Sequence, residues 1–536
     1  MKNWKYLLLP AFAVVCPART MFPQSLPDSS VLFLTGASCM EELSESQMEE
    51  LESLFRHPLN INRSSKSKLE ASGLFSAYQL HSLEEYRRAS GDILSPAELS
   101  LLDGFSAECV DAISPFLDFS SNAPAGGSYF ESGNSVDAQA RLKWRKDGFQ
   151  NRSKLRFERE GTLSAGVTSN KNFNLTLYGK GRLNGKLIFG DFSARFGQGL
   201  ALWSGFSLSG LSSPSSFYRR PYGVTPSWTY SSAGMRGVAA GFELGRTEIS
   251  ALASLRRGSK VYALNSNRVF RNGSYGLTAL YSEDGGILCS SDASVSIRKL
   301  LLFSESSVDM SNKSAAALLG ARYSFDYQVG VFFLTRFYPM DYSSAYAGAA
   351  RSSSKCSDER GISAAVQYKS KTFSVDWAHH PKKGKKQMKT VCVLPFNFSE
   401  SFSLSFKLSD RYKPQDKYSH RVELRSDIKY EKGGWMALLR SDLVHMRDYA
   451  KLAYLELGYS WNWGYAYFRG TLYDVRNWDD RIYSYERDAP GNFNVPAYYG
   501  RGYALSVTGR VNIGKRNKLY FRVSEKELAF QYVFSY

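Results

Sequence analysis

From about residue 128 to the end, apolar and polar side chains alternate in run after run, yet nowhere do eighteen apolar residues stand together. Without such a stretch no helix can cross a bilayer. A membrane-spanning chain then has one other route, a closed β-barrel whose backbone polar groups all pair around the ring. Arg421 to Glu431 illustrates the pattern. Val422, Leu424, Ile428 and Tyr430 fall on one face, and Arg421, Glu423, Arg425, Asp427, Lys429 and Glu431 on the other. A half-buried soluble strand alternates in the same way. Six charges on one face also suit a strand with a wet lumen before it and lipid behind it. A second run, Ala453, Leu455, Leu457, Tyr459, Trp461, Trp463, Tyr465 and Tyr467, carries the aromatic cluster that an interfacial girdle requires.

The fold class expected is mainly β: a large antiparallel transmembrane barrel preceded by a small all-α domain. About 400 residues, at roughly 20 per strand and connection, predict about 16 to 22 strands, an even number. Lys146-Asp147-Gly148 and Glu283-Asp284-Gly285-Gly286 read as tight turns, whereas Gly199 to Ala233, Pro339 to Arg360 and Val475 to Gly500 read as long loops. Outer-membrane barrels have short periplasmic turns and longer outer loops. A β-propeller is disfavoured because no repeat occurs at blade period. Leu528, Phe530, Tyr532, Phe534 and Tyr536 alternate with Ala529, Gln531, Val533 and Ser535, and the chain stops on an aromatic. This resembles the C-terminal strand by which the barrel-insertion machinery recognises its clients. The plainer alternative is an edge strand of a soluble sheet.

The N-terminus reads as a secretion signal over residues 1–18. Lys2 and Lys5 precede the apolar run Leu7 to Val15, and Cys16-Pro17-Ala18 offers small residues for cleavage. Lipidation of Cys16 is the alternative, which Val14-Val15 and Pro17 fit poorly. Cys39, Cys109, Cys289, Cys356 and Cys392 are widely spaced with no CxxC pair, so free thiols are expected, with no metal site and no cofactor. Cys356 with Cys392 is the one disulfide considered. Lys and Arg number 68 against 50 Asp and Glu, a balance that favours anionic partners such as lipopolysaccharide, acidic glycans or nucleic acid.

Residues 19–44 read as irregular, 45–119 as helical, and 120–127 as a small-residue linker before a barrel over 128–536. In the helical part Asn60-Ile61-Asn62 opens a run with Gly73-Leu74-Phe75-Ser76. A helix through Leu80, Leu83 and Tyr86-Arg87-Arg88 follows, then Gly91. Ser95-Pro96 with Glu98 starts another helix, and Asp103-Gly104-Phe105-Ser106 turns into a last one with Val110 and Ile113. This order resembles the tandem helix-hairpin-helix domain of ComEA-type DNA receptors. The whole arrangement resembles Bacteroidetes-type outer-membrane barrels that carry such a domain. There Gly190-Asp191, Phe196-Gly197-Gln198-Gly199-Leu200 and Trp203-Ser204-Gly205 look like a family signature without known chemistry.

The resemblance implies a phosphate contact by backbone N–H groups at a Gly turn that opens a helix. It implies as nucleic-acid-binding candidates Gly73, Leu74, Phe75, Ser76, Gly104, Phe105 and Ser106, with Arg87 and Arg88. The second glycine of each turn is replaced, by Phe75 and by Ser106, which favours a structural module that docks on a periplasmic protein or covers the periplasmic mouth over one that binds DNA. Arg219 and Arg220 lie in a Gly- and Ser-rich stretch with two equal readings: a segment folded inward that constricts a pore and selects anions, or an outer loop of no special role. His379 and His380 precede Lys382-Lys383-Gly384-Lys385-Lys386. Adjacent strand residues point to opposite sides and no Gly-x-Ser-x-Gly nucleophile turn is present, so no catalytic residue is assigned and no enzyme is expected. The functions expected are a channel or transport component of the outer membrane, a DNA-uptake component, or a structural barrel.

Overall fold

The computed structural model describes residues 26–121 and 134–536, apart from 36, 44, 57, 65–68, 70–71, 76, 160–161, 180–183, 206–210, 212, 220, 231–233, 271, 326–328, 400 and 515. The signal segment 1–18, Cys16, Ser76, Arg220 and most of the linker lie outside the described residues.

Neighbouring strands pair antiparallel around a closed ring of 24 wall strands, from Asn134–Arg145 to Glu527–Ser535. The last strand pairs with the first, Leu528 opposite Trp144 and Phe534 opposite Ala138, so no edge remains. The short strand Gly223–Pro226 extends the place of Met235–Leu244 beside Asn184–Arg195 and adds no wall position. The ring exceeds the expected 16 to 22 strands because most turns at one rim hold only two residues, as at 245–246, 298–299, 369–370, 433–434 and 462–463. Each strand and connection therefore uses less chain than assumed.

Sidedness follows the alternation. Leu424, Ile428 and Tyr430 face outward, with Leu424 41% exposed, as do Leu142, Leu155, Leu277, Leu319, Leu455 and Phe530. Many buried positions on the wall strands are instead polar: Arg141, Lys154, Glu305, Arg336, Asp376, Glu456, Arg469, Arg522 and Gln531. A soluble protein of this size would bury the first set and expose the second. The inversion is what lipid outside and a polar lumen inside require. Among the described residues no helix is long and apolar enough to cross a membrane, so strands make the crossing.

Two sequence readings change. Tyr465 and Tyr467 do not continue the outer face of Tyr459 and Trp461, because the turn at 462–463 resets the parity. In the following strand Phe468 and Leu472 point outward, while Arg510 lies over the Tyr465 ring and Arg487 over Tyr467 on the inside. The tight turns at 146–147 and 283–285 lie at the same rim as the long loops, not at the short-turn rim, because strand direction fixes the rim whatever the turn length.

The three long connections, 196–222, 339–358 and 476–499, share the rim opposite Tyr536. They fold inward onto one another and onto the wall: Gly348 N donates to Gly199 O, Trp203 N to Tyr346 O, and the Tyr342 hydroxyl to Leu200 O. The residues that look like a signature explain this. A Cβ at Gly190 (φ +98°) would meet the Phe173 carbonyl at 2.2 Å. Asp191 accepts from Phe173 N and pairs with Arg236 at 2.9 Å and Arg256 at 3.1 Å. Glu305 accepts from Gln198 N at 2.6 Å, Leu200 N at 3.1 Å and Ser290 Oγ at 2.5 Å, which pins the loop to the wall.

The N-terminal helices are Asp28–Thr35, Glu45–Arg56, Ala77–Ala89, Pro96–Leu99 and Ala107–Ile113. The first lies in the stretch read as irregular. Val31, Ala37 and Met40 join the core of the helical module there, a tertiary contact that local sequence does not announce. Ser95 caps its helix by accepting from Glu98 N, and Ser106 does the same from Cys109 N. Leu59–Asn60 pairs in parallel with Leu117–Asp118 and closes the module on itself.

Candidate functional site

The site is the lumen, where residues 28–56 meet the wall and the inward loops. That segment carries seven carboxylates, Asp28, Glu41, Glu42, Glu45, Glu49, Glu50 and Glu52, against Arg56 alone. Residues 134–536 carry 59 Lys and Arg against 33 Asp and Glu. An acidic segment thus sits inside a basic ring, and the contacts are specific. Glu41 lies between Arg425 at 2.9 Å and Arg440 at 3.0 Å and accepts from Tyr485 N at 3.0 Å. Burial alone would raise its carboxyl, but the two guanidiniums outweigh that and hold it well below the usual glutamate range. Glu49 reaches Lys154 at 2.8 Å and Tyr230 N at 2.9 Å. Glu42 pairs with Lys389 at 3.3 Å, Glu50 approaches Arg195 at 3.7 Å, and Glu52 accepts from Gly491 N.

The loop 476–499 completes the closure. Asp488 pairs with Arg141 at 3.0 Å, Arg487 with Glu456 at 2.6 Å, and Glu486 with Arg522. Tyr485 and Phe493 stack and pack on the helical core. Elsewhere the wall closes its charges on its own. Arg336 donates to Glu359, Ser363 and Asp376 at 2.5–2.8 Å on three adjacent strands, with no contribution from the N-terminal segment.

The candidate residues fall in different places. Leu74, Phe75 and Phe105 are core, and Phe75 and Phe105 meet edge to face at 6.1 Å. Gly73 has the left-handed φ of +68° that a turn into a helix needs, but a Cβ there would stand 3.1 Å from the Tyr222 ring. That turn is therefore covered by an inward loop. Gly104 (φ +88°) and Ser106 stay exposed. Arg87 donates to Asn62 O, and Arg88 is exposed, 4.0 Å from Glu84. These residues share one module, but one turn faces the barrel and the other faces away from its core.

Arg219 is in the lumen on the inward loop, where its guanidinium lies 5.6 Å from the Trp203 ring. Burial, then neighbouring Arg351, pushes its pKa down to about 10. His380 is buried, 2.8 Å from Asp358 O and 3.4 Å from Ser352 Oγ; His379 lies beside Trp377. Among the described residues no carboxylate is hydrogen-bonded to the His380 ring. Phe530, Tyr532 and Tyr536 face outward on the closing strand. Cys39, Cys109, Cys289, Cys356 and Cys392 are free thiols.

Sequence reasoning missed Glu41, Glu49 and Glu305. The acidic excess of 28–56 against a basic remainder was a usable signal for the first two. Glu305 had none, because a lone acid in a Ser-rich strand says nothing of the loop it will hold.

Fold and lumen together define a transmembrane β-barrel closed internally by its own N-terminal segment. No protein-family model matches the chain, and no curated protein matches its sequence. Among solved structures it is similar to the P pilus usher (PapC) translocation pore, with 10% identity over 75% of this chain and 98% of that one, TM-score 0.38. It is also similar to the siderophore receptor PirA from Pseudomonas aeruginosa, with 9% identity over 75% and 80%, TM-score 0.39. Similarity to the E. coli P pilus tip assembly intermediate PapC-PapD-PapK-PapG reaches TM-score 0.47, at 10% identity over 78% and 63%. The architecture stands on this chain's own register and surface, and no activity is carried over from those proteins.

Proposed function

We propose that this chain is an outer-membrane transport channel held shut by residues 28–56, with its helical module on the periplasmic side. One observation carries the reading: the lumen is filled by a segment seated through carboxylates on wall cations. Carboxylates released from such contacts can be rehydrated, and the cations they leave can take an anionic ligand or keep their wall partners, which an apolar core does not allow. Orientation is argued from the rims. Both barrel termini and most of the two-residue turns share one rim, and all three long connections lie at the other, as periplasmic and outer sides do, and Glu85 of the module approaches Arg246 at the first rim at 3.7 Å. The exposed Lys382, Lys383, Lys385 and Lys386 lie at the other rim, suited to lipopolysaccharide phosphates. Leu528, Phe530, Tyr532, Phe534 and Tyr536 are the strand offered to the insertion machinery, and residues 45–119 are the surface for a periplasmic protein.

Full-length mature protein in planar bilayers should be nearly silent, and Glu41→Gln combined with Glu49→Gln should open it. Silence of every variant, in protein that is folded by heat modifiability, would leave a structural barrel. A second reading rests on the exposed Gly104 and Ser106 ahead of the helix Ala107–Ile113, whose first N–H groups would face one phosphate. It predicts salt-dependent binding of duplex DNA by the full chain, lost in Gly104→Val. Equal binding by the variant would remove it.

A further inference from the structure

Between the N-terminal segment and the wall lies a cavity of about 230 Å³. Its cationic lining is Lys154, Arg156, Arg195 and Arg219. The wall contributes only Glu158 in opposition, and Glu158 is held by Arg156 at 2.7 Å. The remaining carboxylates, Glu49 and Glu50, come from the N-terminal segment. Arg219 has no ion pair among the described residues, and its buried Nε has no hydrogen-bond partner. The arginines rest on aromatic faces: Arg156 over Trp228 at 4.6 Å, Arg195 over Tyr222 at 4.7 Å and over Trp203 at 5.4 Å. Stacking fixes the guanidinium planes while leaving their edges free to donate.

We infer that this cavity binds a small multiply charged anion, through phosphate or carboxylate groups, and that the anion competes with Glu50 for Arg195. Glu50 is the weakest of the segment's contacts on the wall, 3.7 Å from Arg195 with its side chain 39% exposed. A ligand with two anionic groups can bridge Arg195 and Arg219, which Glu50 alone does not. Binding there loosens one anchor of the segment that fills the lumen, so ligand and opening are coupled in the same direction. This rests on the channel reading for its consequence, but the binding itself does not.

The test is calorimetric titration of the detergent-solubilised full chain at fixed ionic strength, with pyrophosphate in one arm and citrate in the other. One arm should bind, and which one does identifies the anionic group. Arg219→Gln should weaken that binding at least about tenfold, the cost of one charged hydrogen bond. Glu50→Gln should strengthen it several-fold, a gain that misfolding cannot produce. Absence of binding in both arms, or affinity unchanged by both substitutions, overturns the inference. A barrel that binds the anion and conducts under no condition leaves this site standing and removes the transport reading.

Discussion

Two buried charge networks in the same lumen behave as opposites. On the strands Val329–Tyr338, Glu359–Tyr368 and Lys371–His380, Arg336 is shared by Glu359 and Asp376, and all three side chains are at most 2% exposed. Every charged partner belongs to the wall, and Glu359 also accepts from Ser352 N and Ser353 N of the inward loop. On His420–Lys432 and Trp435–His445, Arg425 and Arg440 already have Asp442 and Asp427, and they take Glu41 from the N-terminal segment as a third partner. The first network ties adjacent strands. The second can lose a member and remain paired. The difference teaches that buried charge in this barrel serves rigidity where it is complete within the wall, and reversible closure where it is shared.

The largest effect tests the first network. Arg336→Met should leave two carboxylates buried without a cation and lower stability by about 3–5 kcal/mol. The urea midpoint of the heat-modifiable band measures it, and a midpoint equal to wild type would break the comparison. Next, Glu41→Gln should leave that midpoint nearly unchanged while raising open probability about tenfold, since one charged contact on each guanidinium is weakened. A shift in the midpoint with no change in opening would mean that the second network is structural too.

Acid sharpens the same point. The seated Glu41 carboxyl lies below its free value near 4.5. Its contribution is therefore complete above that value and is lost as pH falls below it toward the seated pKa. The part of the conductance that Glu41 controls should stay unchanged from neutral pH to about 5 and rise only in stronger acid, and Glu41→Gln should abolish that part of the acid response. The smallest effect belongs to Lys429 and Glu431, paired at 2.6 Å but 46% and 43% exposed. Lys429→Ala should change the midpoint by no more than about 0.5 kcal/mol, because solvent screens the pair. A larger loss would show that exposure is not what separates the networks.

The wall was legible in sequence because period-two alternation is a local property. Val422 to Tyr430 and Leu528 to Tyr536 reveal their outward faces with no knowledge of their neighbours. The candidate site was legible only in fragments. Arg219 was singled out with two readings open, an inward constriction or an outer loop, and Tyr465 and Tyr467 were assigned to the wrong face because a two-residue turn resets parity. Leu74, Phe75 and Phe105 matched a motif position and proved to be core.

By itself the sequence narrowed the class of solution: a chain that alternates with no long apolar run can cross lipid only as strands, and strands in lipid must close into a ring. It also determined that a helical module precedes them, with Ser95 before Pro96 and Glu98 marking one helix start. Only the tertiary structure decided that the ring has 24 members, that three loops turn inward, and that Glu41 and Glu49 fill the lumen. Glu41 and Arg440 are almost 400 residues apart, and no local pattern encodes a contact whose partners meet only after the ring has closed.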